Sequence, residues 1–138
     1  MQLQKIHHVA YRCRDAKETV AFYKRVMGME LIGAIAEDRV PSTKAPDPYM
    51  HVFMDAGGGN VLAFFEIPNS PDMGFDPNTP RWVQHIAFKV DSEETLRTMR
   101  DRLVAGVADE YRAGIAGLLH RPGLGVAQHD VEAGGAVE

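Results

Sequence analysis

The chain repeats one pattern at two places, and this repeat constrains its fold more than any other feature. The segment "HVAYRC" at residues 8–13 aligns with "HIAFKV" at residues 85–90, so that His lies over His, Val over Ile, Ala over Ala and Tyr over Phe. Both segments are apolar and β-prone, which predicts a strand of about six residues in each. An internal duplication explains this match better than chance, because the residues that follow also correspond.

A helix is predicted after each of these strands. Asp15 and Asp91 are each followed three residues later by a glutamate, Glu18 and Glu94. This is the pattern of a helix-capping aspartate with a glutamate that bonds back to the cap. Apolar residues then occupy matching positions at helical spacing: Val20, Tyr23 and Met27 in the first copy, and Leu96, Met99 and Leu103 in the second. Gly28 is a predicted helix stop.

The first copy continues through three further predicted strands. They are "MELIGAIA", "YMHVFMDA" and "NVLAFFEI", with the loop "EDRVPSTKAPDP" and a "GGG" turn between them. Residues 1–67 are therefore predicted to form a strand–helix–strand–strand–strand module, in which the loop from Glu37 to Tyr49 is a wall or lid of a cavity. Residues 68–81 hold four prolines and are predicted to be a stiff linker. Residues 82–138 form the second module of one α+β domain.

Composition excludes several classes of function. A formal net charge of −4 over 138 residues provides no basic field, so nucleic acid and anionic membranes are not expected partners. No apolar run approaches the roughly 20 residues that span a bilayer, and "MQLQKIHH" lacks the apolar stretch of a secretory signal. Cys13 is the single cysteine, which excludes an intrachain disulfide and indicates a reducing, cytoplasmic location.

Two histidines and one glutamate are the candidate metal ligands. A lone histidine on a strand is more often structural than a ligand, but His8 and His85 occupy equivalent positions of the repeat. Glu66 follows a strongly apolar run, where a carboxylate requires a cation, a hydrogen-bond donor or exposure. Two imidazoles and a carboxylate suit Zn, Ni, Mn or Fe(II). His7 and His51 have no repeat partner and are interpreted as structural or solvated.

The sequence resembles the vicinal oxygen chelate superfamily, which includes glyoxalase I, extradiol dioxygenases and bleomycin-resistance proteins. The resemblance rests on "IHHVAYRCRDAKETVAFYKRVMGMEL", "NVLAFFEIP" and "VQHIAFKVDSEETLRTMRDRL", and covers residues 5 to about 106. It implies two βαβββ modules that form a cupped mixed sheet around a divalent metal. By position, it implies that His8, Glu66 and His85 are metal ligands, and that Glu66 is also a candidate general base.

After residue 106 the sequence departs from the superfamily pattern, and three interpretations of the tail stay open. The first is that "RPGLG" is a worn form of the family's closing turn, which would make His129 the candidate fourth ligand, with Asp130 and Glu132 as further candidates. The second is a single helix from Ser92 to about His120, since the apolar positions keep helical spacing. The third is that the tail is read out of frame.

The resemblance implies a metal-dependent enzyme that acts on a small substrate chelated through adjacent oxygens. A lyase or isomerase ranks slightly ahead of a ring-cleaving dioxygenase, because the carboxylate of the two-domain dioxygenases comes from the final strand that the pattern lacks here. The alternative is a non-catalytic protein that sequesters a ligand, as bleomycin-resistance proteins do. A homodimer is expected, because an incomplete second sheet leaves an apolar edge that needs cover.

Overall fold

The computed structural model describes residue 2 and residues 5–74, 76–80, 83 and 85–112. The chain divides into two compact units, Met1–Met73 and Gly74–Glu138. In chain order, the elements are β1 (Val9–Cys13), α1 (Ala16–Phe22), a π-helical turn (Tyr23–Met27), β2 (Glu30–Arg39), β3 (Pro46–Asp55), β4 (Val61–Glu66) and α2 (Glu93–Arg112). The predicted α+β class is confirmed.

The first unit is built on one four-stranded sheet. Its strand order is β1-β4-β3-β2, with β1 parallel to β4 and the other neighbours antiparallel. Parallel neighbours cannot be joined by a tight hairpin, and here α1, β2 and β3 lie between β1 and β4 in the chain. The predicted strand–helix–strand–strand–strand order of the first module is confirmed.

The start of α1 follows the predicted capping pattern in part. The backbone N–H of Glu18 donates to Asp15 Oδ1 at 2.7 Å, so Asp15 is the cap. The carboxylate of Glu18 does not bond back to the cap but accepts from Arg14 Nη2 at 3.0 Å. One half of the predicted capping box is therefore formed, and the other half is replaced by an ion pair between residues four apart.

The end of the helical segment explains a difference from the predicted helix face. Residues Tyr23–Met27 form a π-helical turn that ends at Gly28, whose φ is +70°. Because a π turn is wider than an α turn, it changes which residues after Tyr23 are buried, Met27 among them; Val20 lies before the turn, in α1. Val20 and Met27 are only half-buried, and the buried positions of this segment are Ala16, Thr19, Phe22, Tyr23 and Val26.

The sheet has two chemically different faces because side chains alternate along each strand. The face that packs on α1 carries the buried residues Cys13, Val52, Met54, Leu62 and Phe64. The aromatic ring of Phe64 lies 4.8 Å from that of Tyr23, centre to centre, and ties the sheet to the helical segment. We call the opposite side the far face; its register positions are Ala10 and Arg12 on β1, Ala63 and Phe65 on β4, and His51 and Phe53 on β3.

The loop predicted between β2 and β3 is shorter than the sequence suggests. Strand β2 continues to Arg39 and β3 begins at Pro46, and these two residues are paired. The backbone N–H of Val40 donates to the carbonyl of Ala45 at 3.0 Å and closes the hairpin. A proline is compatible with this arrangement because it stands at the first residue of a strand.

The second unit differs from the repeat prediction at two places. Helix α2 begins at Glu93, and its cap is Ser92 rather than Asp91, since Ser92 Oγ accepts from the backbone N–H of Thr95 at 3.1 Å. Residues 85–90, predicted to be a strand, pair with no strand in the part of the chain that the structure describes.

The interpretation of the tail as a long helix agrees with the structure as far as residue 112. Its continuation to His120, the "RPGLG" turn and the candidate ligand His129 lie outside the described residues. Among the helices that the structure describes, none combines the length and the apolar composition of a membrane-spanning segment.

Candidate functional site

His8 lies immediately before β1, on the far face of the first unit. Its ring centre is 6.0 Å from that of Phe53 and 6.3 Å from that of His51, both of which are on β3. Strand β4 lies between β1 and β3. Its residue between Ala10 on β1 and Phe53 on β3 is Ala63. Because both of these side chains are a single methyl group, the exposed His8 ring reaches across β4 to the aromatic rings of β3.

A neighbouring histidine determines which nitrogen of His8 is available. The Nδ1 atoms of His7 and His8 are 2.8 Å apart, so one ring donates a hydrogen bond to the other. This contact uses Nδ1 of His8 and leaves Nε2 for a ligand. A hydrogen bond to the second ring nitrogen is the usual way in which a metal-binding imidazole is oriented.

His51 is the functional candidate that sequence reasoning missed. It is 8% exposed and its ring stacks on Phe65, with centres 3.6 Å apart and planes 19° apart. Its Nε2 is buried and has no hydrogen-bond partner among the described residues. A buried polar atom without a partner is costly in a folded protein, so a ligand that bonded this nitrogen would remove that cost. The sequence contained a signal for this position. In "HVF", side chains alternate between the two faces of the strand, so His51 is expected on the same face as Phe53.

Burial lowers the pKa of His51 from its ordinary value, and the nearby His8 lowers it further. Burial disfavours the charged imidazolium, and a second positive charge on His8 would repel it. The His51 ring is therefore neutral at neutral pH, which is the form that accepts a hydrogen bond or binds a metal.

This lowered pKa predicts a pH dependence of stability. In the unfolded chain His51 titrates near pH 6.5, whereas the folded protein binds the proton only at lower pH. Between these two values the unfolded state binds more protons, so the free energy of unfolding falls as the pH drops below about 6.5. We expect the chelator-treated wild type to lose more stability in urea between pH 7.5 and 5.5 than His51→Phe does.

The control for this prediction is Tyr49→Phe. Tyr49 also contacts the Phe65 ring, at 5.5 Å between ring centres, but it carries no imidazole. This variant should keep the pH dependence of the wild type. Equal losses of stability in the wild type and His51→Phe would show that His51 does not contribute to it.

Glu66 lies on the face of the sheet opposite to His8. It pairs with Cys13 and Met50 at the end of β4, and its Oε2 accepts a hydrogen bond from the backbone N–H of Ala16 at 2.7 Å. Glu66 is also far from His8 along the strands. It pairs with Cys13, which follows His8 by five residues, and at about 3.3 Å per residue this separates the two by roughly 16 Å. The first unit therefore does not bring Glu66 and His8 together, and the Glu66 carboxylate instead occupies the N-terminus of α1.

The contact with α1 predicts a structural effect of replacing Glu66. A carboxylate that accepts from the first turn of a helix satisfies a free N–H group and interacts favourably with the helix dipole. Because Glu66 is only half-buried, we expect Glu66→Ala to lower the free energy of unfolding by about 1–2 kcal/mol. Glu66→Gln keeps an acceptor oxygen and should lose less. Urea unfolding measures both, and a Glu66→Ala protein as stable as the wild type would contradict the prediction.

The described residues fit a metal ion only in part. His8 and His51 offer imidazole nitrogens on the same face, and one of these nitrogens is buried without a partner. No group of three or more His, Cys, Asp or Glu side chains comes together within the described ranges. His85 is exposed and lies in the second unit, between residue 83 and α2. Its predicted role as a ligand stays a prediction, as does that of His129.

A pocket of about 340 Å³ opens at the end of the first sheet. The residues that line it are Ala36, Glu37, Asp38, Pro48, Tyr49, Met50, Glu66 and Pro68. Four of these eight, Glu37, Asp38, Pro48 and Tyr49, belong to the segment from Glu37 to Tyr49 that was predicted to be a loop. This segment lines a cavity as strand ends, and therefore as a fixed wall.

Comparison with known proteins agrees with this architecture. Residues 5–110 match the family model of the Glyoxalase/Bleomycin resistance protein/Dioxygenase superfamily. The chain is 28% identical over 127 residues to "Putative ring-cleaving dioxygenase MhqA" from Bacillus subtilis (strain 168), covering 89% of this chain and 35% of that protein. It is 28% identical over 92 residues to "Uncharacterized protein YwkD" from the same strain, covering 67% of this chain and 66% of that protein. The chain thus spans about a third of the length of the first relative.

The fold recurs in a solved structure, a glyoxalase family protein from Bacillus cereus. The TM-score is 0.55 at 14% identity, over 76% of this chain and 73% of that chain. At this identity the likeness concerns the fold alone. Because the family model matches residues 5–110 and the first unit has the βαβββ order, the chain belongs to the Glyoxalase/Bleomycin resistance protein/Dioxygenase superfamily.

Proposed function

We propose that this protein is a metal-dependent enzyme of the glyoxalase/dioxygenase type, which acts on a small substrate through two adjacent oxygens. The observation that carries the proposal is the position of His8, at the start of β1 and on the far face, beside a buried histidine with an unpartnered nitrogen. Membership of the superfamily supports it, because many of its members are enzymes. Zn, Ni, Mn and Fe(II) all remain open as the metal.

The residues of the first unit have separate roles in this proposal. A divalent ion held here would act as a Lewis acid on the substrate oxygens. His8 would bind the ion through Nε2, and His7 would orient the His8 ring through the contact between their Nδ1 atoms. Phe53 and Phe65 flank His51 and would shield its ring from water.

Oxygen-dependent ring cleavage is the reaction to test first. The sequence alone ranks a lyase or isomerase ahead of it, but the relative MhqA carries the name of a ring-cleaving dioxygenase. The aromatic rings beside His8 support this choice, because a flat aromatic substrate can stack on them. The chain covers only 35% of that relative, so the activity is proposed here and must be measured.

The test begins with the metal content of protein purified without chelator, for the wild type beside His85→Ala. About one divalent ion per chain is expected in the wild type, and its loss in the variant is expected if His85 is a ligand. Oxygen uptake with catechol and isomerisation of a glutathione hemithioacetal, each after loading with Fe(II), Mn(II), Ni(II) or Zn(II), then separate the reaction classes. A wild type that binds none of these ions would overturn the proposal.

The second candidate function is the non-catalytic sequestration of a ligand. The observation that favours it is the composition of β4, which presents only Val61, Ala63 and Phe65 to the far face and no metal ligand. In this case the rings of Phe53, Phe65 and His51 would bind an aromatic or apolar ligand by stacking. Ligand binding that is unchanged by His8→Ala and by chelator would favour this function over the enzyme.

We also propose that the protein forms a homodimer. In the first unit, β2 is an edge strand whose apolar residues Leu31, Ile32 and Ile35 are exposed. Exposed apolar edges of this kind need cover to avoid uncontrolled association. Light scattering at micromolar concentration should give the mass of two chains, and a monomer under these conditions would contradict the proposal.

A further inference from the structure

We propose that His51 is the second metal ligand that the first unit supplies, in the role that family resemblance assigns to Glu66. The inference rests on the proposed metal dependence and deepens it, because it names a ligand on β3. Three observations carry it: the chemistry of β4, the position of His51 relative to His8, and the unsatisfied nitrogen of His51.

Strand β4 offers nothing to a metal on the far face. Its far-face residues are Val61, Ala63 and Phe65, none of which has a ligating atom. Its one carboxylate, that of Glu66, points to the face that packs on α1 and accepts from the backbone N–H of Ala16. Moving Glu66 to the far face would require a one-residue slip of β4, which would put Leu62 and Phe64 out of the core.

Strand β3 offers an imidazole close to the required distance. Two histidines bound to one ion through nitrogens at about 2.0–2.1 Å have ring centres about 5 Å apart for a tetrahedral angle. The centres of His8 and His51 are 6.3 Å apart. His8 is exposed, and rotation of its side chain closes the remaining distance of about 1 Å.

His51 is held in place in a way that suits a ligand. Its ring is stacked on Phe65 at 3.6 Å and lies 4.1 Å from Phe53, so its orientation is fixed by packing before any ion binds. It is more than nine-tenths buried, and its Nε2 has no partner among the described residues. A fixed neutral imidazole with an unsatisfied nitrogen binds borderline divalent ions such as Zn(II) and Co(II).

The test is Zn(II) binding by calorimetry to the wild type, His51→Phe and Glu66→Gln. His51→Phe keeps a ring to stack on Phe65 and removes both nitrogens, while Glu66→Gln keeps an acceptor for Ala16. Loss of an outer-shell partner of a metal ligand costs about 10–100-fold in affinity, and we expect His51→Phe to lower the Zn(II) affinity by at least this much. Glu66→Gln should change the Zn(II) affinity by less than about threefold. Wild-type affinity in His51→Phe, or a large loss in Glu66→Gln alone, would overturn the inference.

A second measurement uses the wild type and does not depend on the folding of a variant. The ring ¹⁵N resonances of His51, assigned through the backbone resonances of the wild type, are followed as Zn(II) is added. A large shift of one ring nitrogen at one equivalent is expected, and no shift while the His8 nitrogens respond would overturn the inference but leave the proposed function intact. If the wild type binds no divalent ion, the proposed function and the inference both fail.

Discussion

His8→Ala is expected to lower the Zn(II) affinity of the protein by about 100-fold or more, without unfolding it. His8 is exposed, so its removal leaves no cavity in the protein. It is also the one candidate ligand of the first unit that is indicated both by the sequence repeat and by its position on the far face. Loss of an outer-shell partner alone costs about 10–100-fold, and loss of a direct ligand should cost at least as much. Calorimetry with Zn(II) after chelator treatment provides the measurement.

His7→Ala is the matched control for this prediction. It removes the neighbouring imidazole, whose Nδ1 lies 2.8 Å from Nδ1 of His8, but keeps the proposed ligand itself. We expect a loss of about 10-fold, at the lower end of the range for outer-shell residues. If the two variants lost affinity equally, or if His8→Ala bound Zn(II) like the wild type, the assignment of His8 as a direct ligand would be wrong.

Phe64→Ala is expected to lower the free energy of unfolding by about 3–5 kcal/mol, the usual cost of removing a buried phenylalanine ring. Phe64 is 4% exposed and packs against Tyr23, so its ring joins β4 to the helical segment after α1. Because domains are stable by only about 5–15 kcal/mol, this loss should shift the urea midpoint strongly. Far-UV circular dichroism follows the transition.

The matched control is Phe64→Leu, which keeps most of the apolar volume and should cost less than about 1.5 kcal/mol. Phe65, the next residue on β4, lies on the far face and is only half-buried. Phe65→Ala should therefore also lower the free energy of unfolding by less than Phe64→Ala does. A Phe64→Ala protein within 1 kcal/mol of the wild type, on the roughly 3–5 kcal/mol scale of such substitutions, would mean that the core is not centred where the burial pattern indicates.

The first module could be predicted from the sequence because its signals are local. Asp15 as a cap, Gly28 as a stop and the alternating apolar residues of β3 and β4 act within a few residues of themselves, and the structure confirms each of them. The loop before β3 was predicted too long, because prolines and charges are compatible with strand ends as well as with loops. The cap of α2 was predicted one residue early because Asp91 and Ser92 are both good caps, and only the backbone decides between them.

The candidate site depended on information that the sequence does not contain. His8 was named as a candidate ligand from the repeat and from resemblance; it lies on the far face beside His51, and its role as a ligand stays a prediction. The prediction for Glu66 assumed that it shares a face with His8, but strand register puts it on the helix side, bonded to Ala16. His51 was interpreted as structural or solvated because it has no repeat partner.

The sequence by itself determined the superfamily, the βαβββ order of the first module and the candidate histidine at its start. These follow from periodicity, capping and repeated residues, which are properties of short segments. Only the tertiary structure decided which side chains meet. Strand pairing puts the ring centres of His51 and His8 6.3 Å apart, although 42 residues lie between them in the chain. A shift of one residue in that pairing would have moved each side chain of the strand to the opposite face of the sheet. Register depends on contacts between distant segments, so packing decided which of these side chains lie together.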